Sequence, residues 1–253
     1  MAEGSSPEVW MQIDNVDFSY PGMPIFSDLS LTLDDRHMVL AVVGQSGVGK
    51  STLIALLAGF SSADAGAISI CGDKVMGPSA ARPVVFQDHN LYPWKNVLEN
   101  VEFGLKAKGL PNGERNQRAR EILKTMRLEG TEGLYPKSLS GGMQQRVGLA
   151  RALAVDPLCV LMDEPFGSLD QDTKNVVQRY FRQTIARINS RTVLITHDIR
   201  EAVMLSSFVL VLRGPGDVVP CDLLSDDDCE YSKLDKERND YWTDKIQSML
   251  SSR

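Results

Sequence analysis

The chain has 253 residues, a net charge of −6, 43% hydrophobic and 24% charged residues. That length suits one large domain or a core with a lobe inserted, and the composition is that of a globular protein. The acidic balance excludes broad nucleic-acid binding, which needs basic surface to displace counterions, but leaves room for a small basic pocket.

Cys71, Cys159, Cys221 and Cys229 lie far apart with no C-x-x-C spacing. No disulfide framework is expected and a reducing cytosol fits. Cys159, inside an apolar run, reads as a small core residue. The opening residues lack the basic and apolar regions of a signal peptide. No stretch approaches the roughly 18 apolar residues of a membrane span, so work at a membrane is expected to go through a partner.

Residues 1–8 read as an unstructured start. Short alternating runs, Trp10–Ile13, Val16–Phe18 and Leu29–Leu33, predict half-buried antiparallel strands. Pro21-Gly22 marks a turn between two of them. Near-continuous apolar runs follow at Val39–Val43, Val84–Phe86, Leu158–Met162, Thr192–Thr196 and Phe208–Leu212. Such runs suit parallel strands covered on both faces. Helical patterns lie between them, which makes the class α/β.

Residues 91–153 break that alternation, with helix signals and no strand. Ala119, Ile122, Leu123 and Met126 recur at the spacing of one helix face. Ser140 is placed to cap a helix that opens with Gly141-Gly142. The segment reads as an all-helical lobe inserted into the sheet domain. The tail beyond Pro215 is polar, with a solvated Asp226-Asp227-Asp228 run. It ends in an amphipathic helix whose face of Trp242, Ile246, Met249 and Leu250 is expected to pack on its own domain. No internal repeat is visible.

The first chemistry lies at Gly44-Gln45-Ser46-Gly47-Val48-Gly49-Lys50-Ser51, followed by Thr52. It fits G-x-x-x-x-G-K-S/T between an apolar strand and a helix, the context of a phosphate-binding loop. Glycines let the backbone curl so that N–H groups face an anion, and the helix start adds its positive dipole end. Lys50 is expected on the β- and γ-phosphates and the Ser51 hydroxyl on Mg²⁺. Further on, Leu158–Met162 runs into Asp163-Glu164-Pro165. A buried strand thus delivers two acids at its carboxyl end, the face where α/β sheets bind ligands. Asp163 suits the Mg²⁺ that bridges the phosphates. Glu164 suits a general base for a water attacking the γ-phosphate.

The next motif is Leu139-Ser140-Gly141-Gly142-Met143-Gln144-Gln145-Arg146, a second anion-binding helix start. Here the sequence resembles the ATP-binding subunits of ABC transporters, whose signature is LSGGQ; Met143 stands where many members have Gln. In that family, Ser140, Gly141 and Gly142 would bind the γ-phosphate of ATP held by the other subunit of a dimer. Further positions match by the same resemblance. Gln87, after Val84-Val85-Phe86, is similar to the glutamine that touches Mg²⁺ and the attacking water. Tyr20 is similar to the aromatic that stacks on adenine, which needs only a π-face. Ser168-Leu169-Asp170 resembles the loop that crosses to the opposite subunit. His197, after Val193-Leu194-Ile195-Thr196, resembles the switch histidine, a donor for charge at the γ-phosphate. His37 and His89 match nothing and read as ordinary surface or loop residues.

The resemblance covers Met11 to Leu212. It implies a P-loop NTPase (RecA-like) core with an antiparallel β subdomain and an inserted helical subdomain. The ATPase domain would span residues 9–220, with the helical part at 91–153 and a short tail at 221–253. Phe86-Gln87-Asp88, Leu91-Tyr92-Pro93-Trp94 and Asp163–Asp170 look most like importers of nitrate, sulfonate, taurine or bicarbonate. The implied cofactors are ATP and Mg²⁺. The implied partners are a second ATPase subunit (a copy or close relative), transmembrane permease subunits and, indirectly, a periplasmic or lipoprotein solute-binding protein, with no nucleic acid. The implied location is peripheral, on the cytoplasmic face of the inner membrane. Residues 88–101 would line the groove that receives a coupling helix. Tyr92 and Trp94 read equally as interface residues or as filler of the helical lobe. About forty residues follow the last core strand, so regulation through a long additional domain is not expected.

Rival readings meet specific gaps. A GTPase would need a guanine-reading N-K-x-D, and a small-molecule kinase leaves the second phosphate corner unexplained. Soluble ABC ATPases that act on DNA or ribosomes carry coiled-coil insertions or paired halves with basic extensions. An ATPase for another solute or a lipid, or a soluble non-transport ABC ATPase, stays open as the alternative.

Overall fold

The computed structural model describes residues 8–88, 90–167, 169–224 and 235–251. His89, Ser168, the Asp226–Asp228 run and Cys229 lie outside them, as do residues 1–7 of the expected unstructured start. The chain divides into two compact units, Met1–Pro78 with Arg191–Arg253, and Ser79–Ser190.

The first unit holds β1 (Val9–Tyr20), β2 (Met23–Asp34), β3 (Val39–Gly44), α1 (Lys50–Ala58), β4 (Ala65–Ile70) and β5 (Asp73–Lys74). Later in the chain it adds β8 (Arg191–Ile195), α6 (Ile199–Leu205), β9 (Phe208–Gly214), β10 (Asp217–Asp222) and α7 (Asp235–Ser251). One sheet runs antiparallel in the order β2-β1-β4-β5. The runs Trp10–Ile13 and Val16–Phe18 fuse into the single strand β1. They read as separate because the register shifts between Ile13 and Val16, where Asn15 adopts φ 46°. Asn tolerates that conformation, and its N–H donates to Ser30 Oγ at 3.0 Å.

In the other sheet β3 lies parallel to β8 and β9, and β10 closes antiparallel on β9. Leu40 to Val43 are at most 1% exposed, which accounts for the unbroken apolar run of β3. Strands β4, β5 and β10 escape the sequence reading. β4 opens with Ala-Gly-Ala, β5 has two residues, and β10 is an edge strand interrupted by Pro220, as edges tolerate. Helix α7 packs on its own unit: Trp242 and Ile246 join a core with Ala41, Val43, Ala202 and Val209. Burying a side chain such as Ile246 contributes about 1.5–3 kcal/mol.

His37 corrects the reading of an ordinary surface residue. It is 5% exposed, with Nδ1 3.1 Å from Asp34 and Nε2 3.2 Å from Asp222, and its ring meets Phe208 edge-on. Its place just before β3 draws it inward with that strand.

The second unit holds β6 (Val84–Val85), α2 (Val97–Ala107), α3 (Asn112–Thr125), a 3-10 turn at Pro136–Ser138, α4 (Gly141–Leu153), β7 (Cys159–Asp163) and α5 (Gln171–Ile188). β6 and β7 are parallel. The first ends at Val85, so Phe86 falls outside it and is 36% exposed. No strand occurs between residues 91 and 153. Ala119, Ile122, Leu123 and Met126 are all buried, as their spacing predicts. Asn96 starts α2 with a reciprocal capping box to Glu99. Asn100, wholly buried, donates to the carbonyls of Tyr92, Lys95 and Asn96 and accepts from the Tyr92 N–H. It thereby fixes the preceding loop. Trp94 is 70% exposed and so does not fill the core, while Tyr92 packs on Phe103 and under Arg151. Among the described residues no helix is long and apolar enough to cross a membrane.

Candidate active site

In the first unit, β3 ends at Gly44 and feeds the glycine loop into α1. Gly47 (φ 80°) and Gly49 (φ 111°) take the left-handed backbone that turns successive N–H groups to one side. A Cβ on Gly49 would lie 2.6 Å from Ile25 Cγ2, and one on Gly44 2.5 Å from the Leu212 carbonyl oxygen. Gly49 occupies the N-cap and brings no side-chain cap to α1. A helix start without a side-chain cap is the kind of corner that accepts an anion. Lys50 Nζ bends back across the loop and donates to the carbonyls of Gly44 (2.9 Å) and Gln45 (2.8 Å). The ammonium is thus tied to the start of its own loop. Gln45, Ser46 and Ser51 are exposed, Val48 is half-buried and Thr52 is buried.

Tyr20 joins this constellation. Its hydroxyl lies 3.4 Å from Thr52 Oγ1, and its ring stands edge-on to Phe18, 5.1 Å between centroids. The residue is nevertheless 45% exposed. His197 is also exposed, in the turn between β8 and α6. The structure thus brings Tyr20 and Thr52 together beside the loop.

In the second unit, Asp163 ends β7 half-buried. Glu164 follows with φ 49°, a conformation that costs of order 1 kcal/mol for a residue with a Cβ. Its carbonyl accepts from the Gly167 N–H at 3.3 Å and from Gln145 Nε2 at 3.4 Å. These bonds hold the unusual backbone. Gln145 is 1% exposed on α4, and the sequence reading missed it. The available signal is a polar residue one turn before Leu149, on the buried side of a helix.

Helix α4 begins as its sequence predicts. Ser140 is the N-cap, its hydroxyl accepting from the Met143 N–H at 3.3 Å. Gln144 donates to the carbonyls of Pro136 and Leu139, fixing the chain's approach. Arg146 donates to the carbonyls of Met126 and Arg127, each at 3.0 Å, and burial lowers its pKa from the ordinary arginine value. A Cβ on Gly142 would lie 2.9 Å from Leu169 Cδ2, so the glycine corner abuts the loop that follows Glu164. Asp170 caps α5, and hydrogen bonds from the Thr173 N–H and hydroxyl hold its carboxyl below the usual range. Gln87 is exposed in the turn beyond β6.

Comparisons with known proteins identify the family and the fold. The family model described as ABC transporter matches residues 26–167. The taurine import ATP-binding protein TauB of Pseudomonas fluorescens (strain Pf0-1) is 47% identical over 212 residues, 83% of this chain and 80% of the relative. TauB of Escherichia coli (strain K12) is 44% identical over 210 residues, 83% of this chain and 82% of the relative. Among solved structures, the dimeric post-hydrolysis state of the ATP-binding cassette MJ0796 bound to ADP and Pi superposes with a TM-score of 0.72 and 28% identity. That match covers 84% of this chain and 98% of the cassette. The α/β fold with its phosphate loop is therefore the fold of a P-loop ATP-binding cassette, and the chain belongs to the ABC transporter family.

Proposed function

We propose that this chain is the ATP-hydrolysing subunit of an ABC importer and that two copies, or a copy and a close relative, close around ATP. The transported solute is a small anion of the taurine or sulfonate class, a reading supported by the TauB relatives. The observation that carries the mechanism is the presence in one chain of two helix starts suited to phosphate, at Gly49–Lys50 and at Ser140–Gly142. Each ATP is held by residues 44–52 of one copy and closed by Ser140, Gly141 and Gly142 of the other. Tyr20 stacks on the adenine.

Mg²⁺ would be held by the Ser51 hydroxyl, the Asp163 carboxylate and the Gln87 amide oxygen, hard oxygen donors of the kind magnesium takes together with substrate phosphates. When bound, it neutralises charge on the phosphates. Glu164 orients and deprotonates the attacking water. His197 donates to the charge that builds on the γ-phosphate. Closure of the pair gates this chemistry and moves the transmembrane permease subunits, so transport is a population shift between open and closed forms. The subunit works peripherally at the cytoplasmic face of the membrane.

The test is ATPase activity of the complex copurified with its permease and solute-binding protein. Taurine or another sulfonate is expected to stimulate hydrolysis. Stimulation by an unrelated solute alone would reassign the cargo.

A further inference from the structure

Glu201 is an acid with 5% of its surface exposed, and the mechanism above does not use it. It occupies the third position of α6, behind the N-cap Asp198. In an ordinary capping box a Glu at that position accepts directly from the N-cap backbone N–H. Here the box is longer. The Asp198 N–H donates to Thr196 Oγ1 at 3.1 Å, and Thr196 Oγ1 donates in turn to Glu201 Oε2 at 3.1 Å. The Glu201 N–H returns to Asp198 Oδ1 at 3.1 Å. Thr196, 2% exposed, is also tied to β3 by its N–H, which donates to the Val42 carbonyl at 3.2 Å. The closed ring of bonds runs through the residue before His197 and the residue after it, while His197 itself stays exposed.

Resting on the assignment of His197 to the γ-phosphate, we infer that Glu201 is a positioning residue that acts through His197. The carboxylate holds Thr196, Thr196 holds Asp198, and the turn between them has one orientation in which to present the imidazole. A turn capped by Asp198 alone would fix the start of α6 but leave Thr196 free to rotate. Burying a carboxylate is costly without hydrogen bonds, and the hydroxyl at position 196 supplies one. A donor aimed at developing charge is effective only when it is held in place beforehand, and small misplacements of such groups cost up to about a hundredfold in rate.

The experiment uses the full-length chain with MgATP and reads ATP affinity, KM and kcat for four single variants and one double variant. Glu201→Met and Thr196→Val are expected to lower kcat about tenfold or more while ATP affinity stays within about twofold. Glu201→Gln keeps an acceptor for the Thr196 hydroxyl and is expected to recover most of kcat. In a His197→Ala background, Glu201→Met is expected to cost nothing further, because its effect runs through the missing imidazole. Full kcat in both Glu201→Met and Thr196→Val overturns the inference, and so does an equal further loss in the His197→Ala background. If Glu201→Met does not fold, Thr196→Val, close in shape to the original, decides on the same criteria. Full turnover by His197→Ala itself would instead remove the role assigned to His197, an outcome distinct from failure of the Glu201 variants alone.

Discussion

The chain begins two of its helices at glycine-rich corners, and the two corners are built in opposite ways. At α1 the N-cap is Gly49 in a left-handed conformation, without a side-chain cap. At α4 the N-cap is Ser140 in an extended conformation (φ −65°, ψ 159°), with its hydroxyl on the Met143 amide. The first corner gets its shape from backbone conformations that glycine alone adopts easily. The second is capped by its own serine, whose hydroxyl takes one first-turn amide. In the proposed function the first corner encloses the anion and the second is pressed against it. That division suits a reaction centre shared between two copies.

The comparison can be broken most severely at Lys50. Lys50→Ala removes the ammonium tied to the loop, and a charge-assisted bond contributes about 1.5–3 kcal/mol. ATP affinity by titration calorimetry is expected to fall about ten- to hundredfold, with loss of uptake; unchanged affinity and uptake would discredit the loop. Within the same corner the glycines should differ. Gly49→Ala meets Ile25 in addition to the backbone strain, while a Cβ on Gly47 meets nothing within 4 Å. Thermal unfolding should show a loss beyond the roughly 1–2 kcal/mol of a left-handed residue for Gly49→Ala, and no more than that for Gly47→Ala.

Ser140→Ala sharpens the contrast. It should cost about 1 kcal/mol of stability as a lost cap. It should also lower turnover while leaving ATP affinity of the isolated chain intact, because that affinity belongs to the other corner. A drop in monomer affinity would contradict the division. The smallest effect is expected at Asp170, whose carboxyl is held below the ordinary value of 3.8 by its bonds to Thr173. A lowered folded-state pKa contributes stability above the unfolded value, lost as pH falls through the folded one. The advantage of the native chain over Asp170→Asn should therefore be present at neutral pH and shrink below about pH 3.8.

Most of this was legible where one local rule decides the structure. The glycine loop, the Ser140 cap, the buried face of α3 and the packing face of α7 each follow from residue spacing alone. What escaped depends on contacts distant in sequence. Gln145 reaches the Glu164 carbonyl 19 residues on, and His37 finds Asp222 across the first unit. The short strands β4 and β5 exist because β1 offers β4 an edge to pair with and β4 in turn offers one to β5, not because their composition demands it. Register shifts hid the continuity of β1 for the same reason: alternation fails at a bulge even where pairing continues.

The central claim is that hydrolysis requires two copies joined by ATP. The most direct test is light scattering coupled to gel filtration on Glu164→Gln with and without MgATP. Removing the base while keeping both corners is expected to give a stable ATP-dependent dimer with turnover close to zero. A Glu164→Gln chain that stays monomeric at saturating MgATP, or a native monomer that hydrolyses ATP at full rate at concentrations too low to pair, would contradict it.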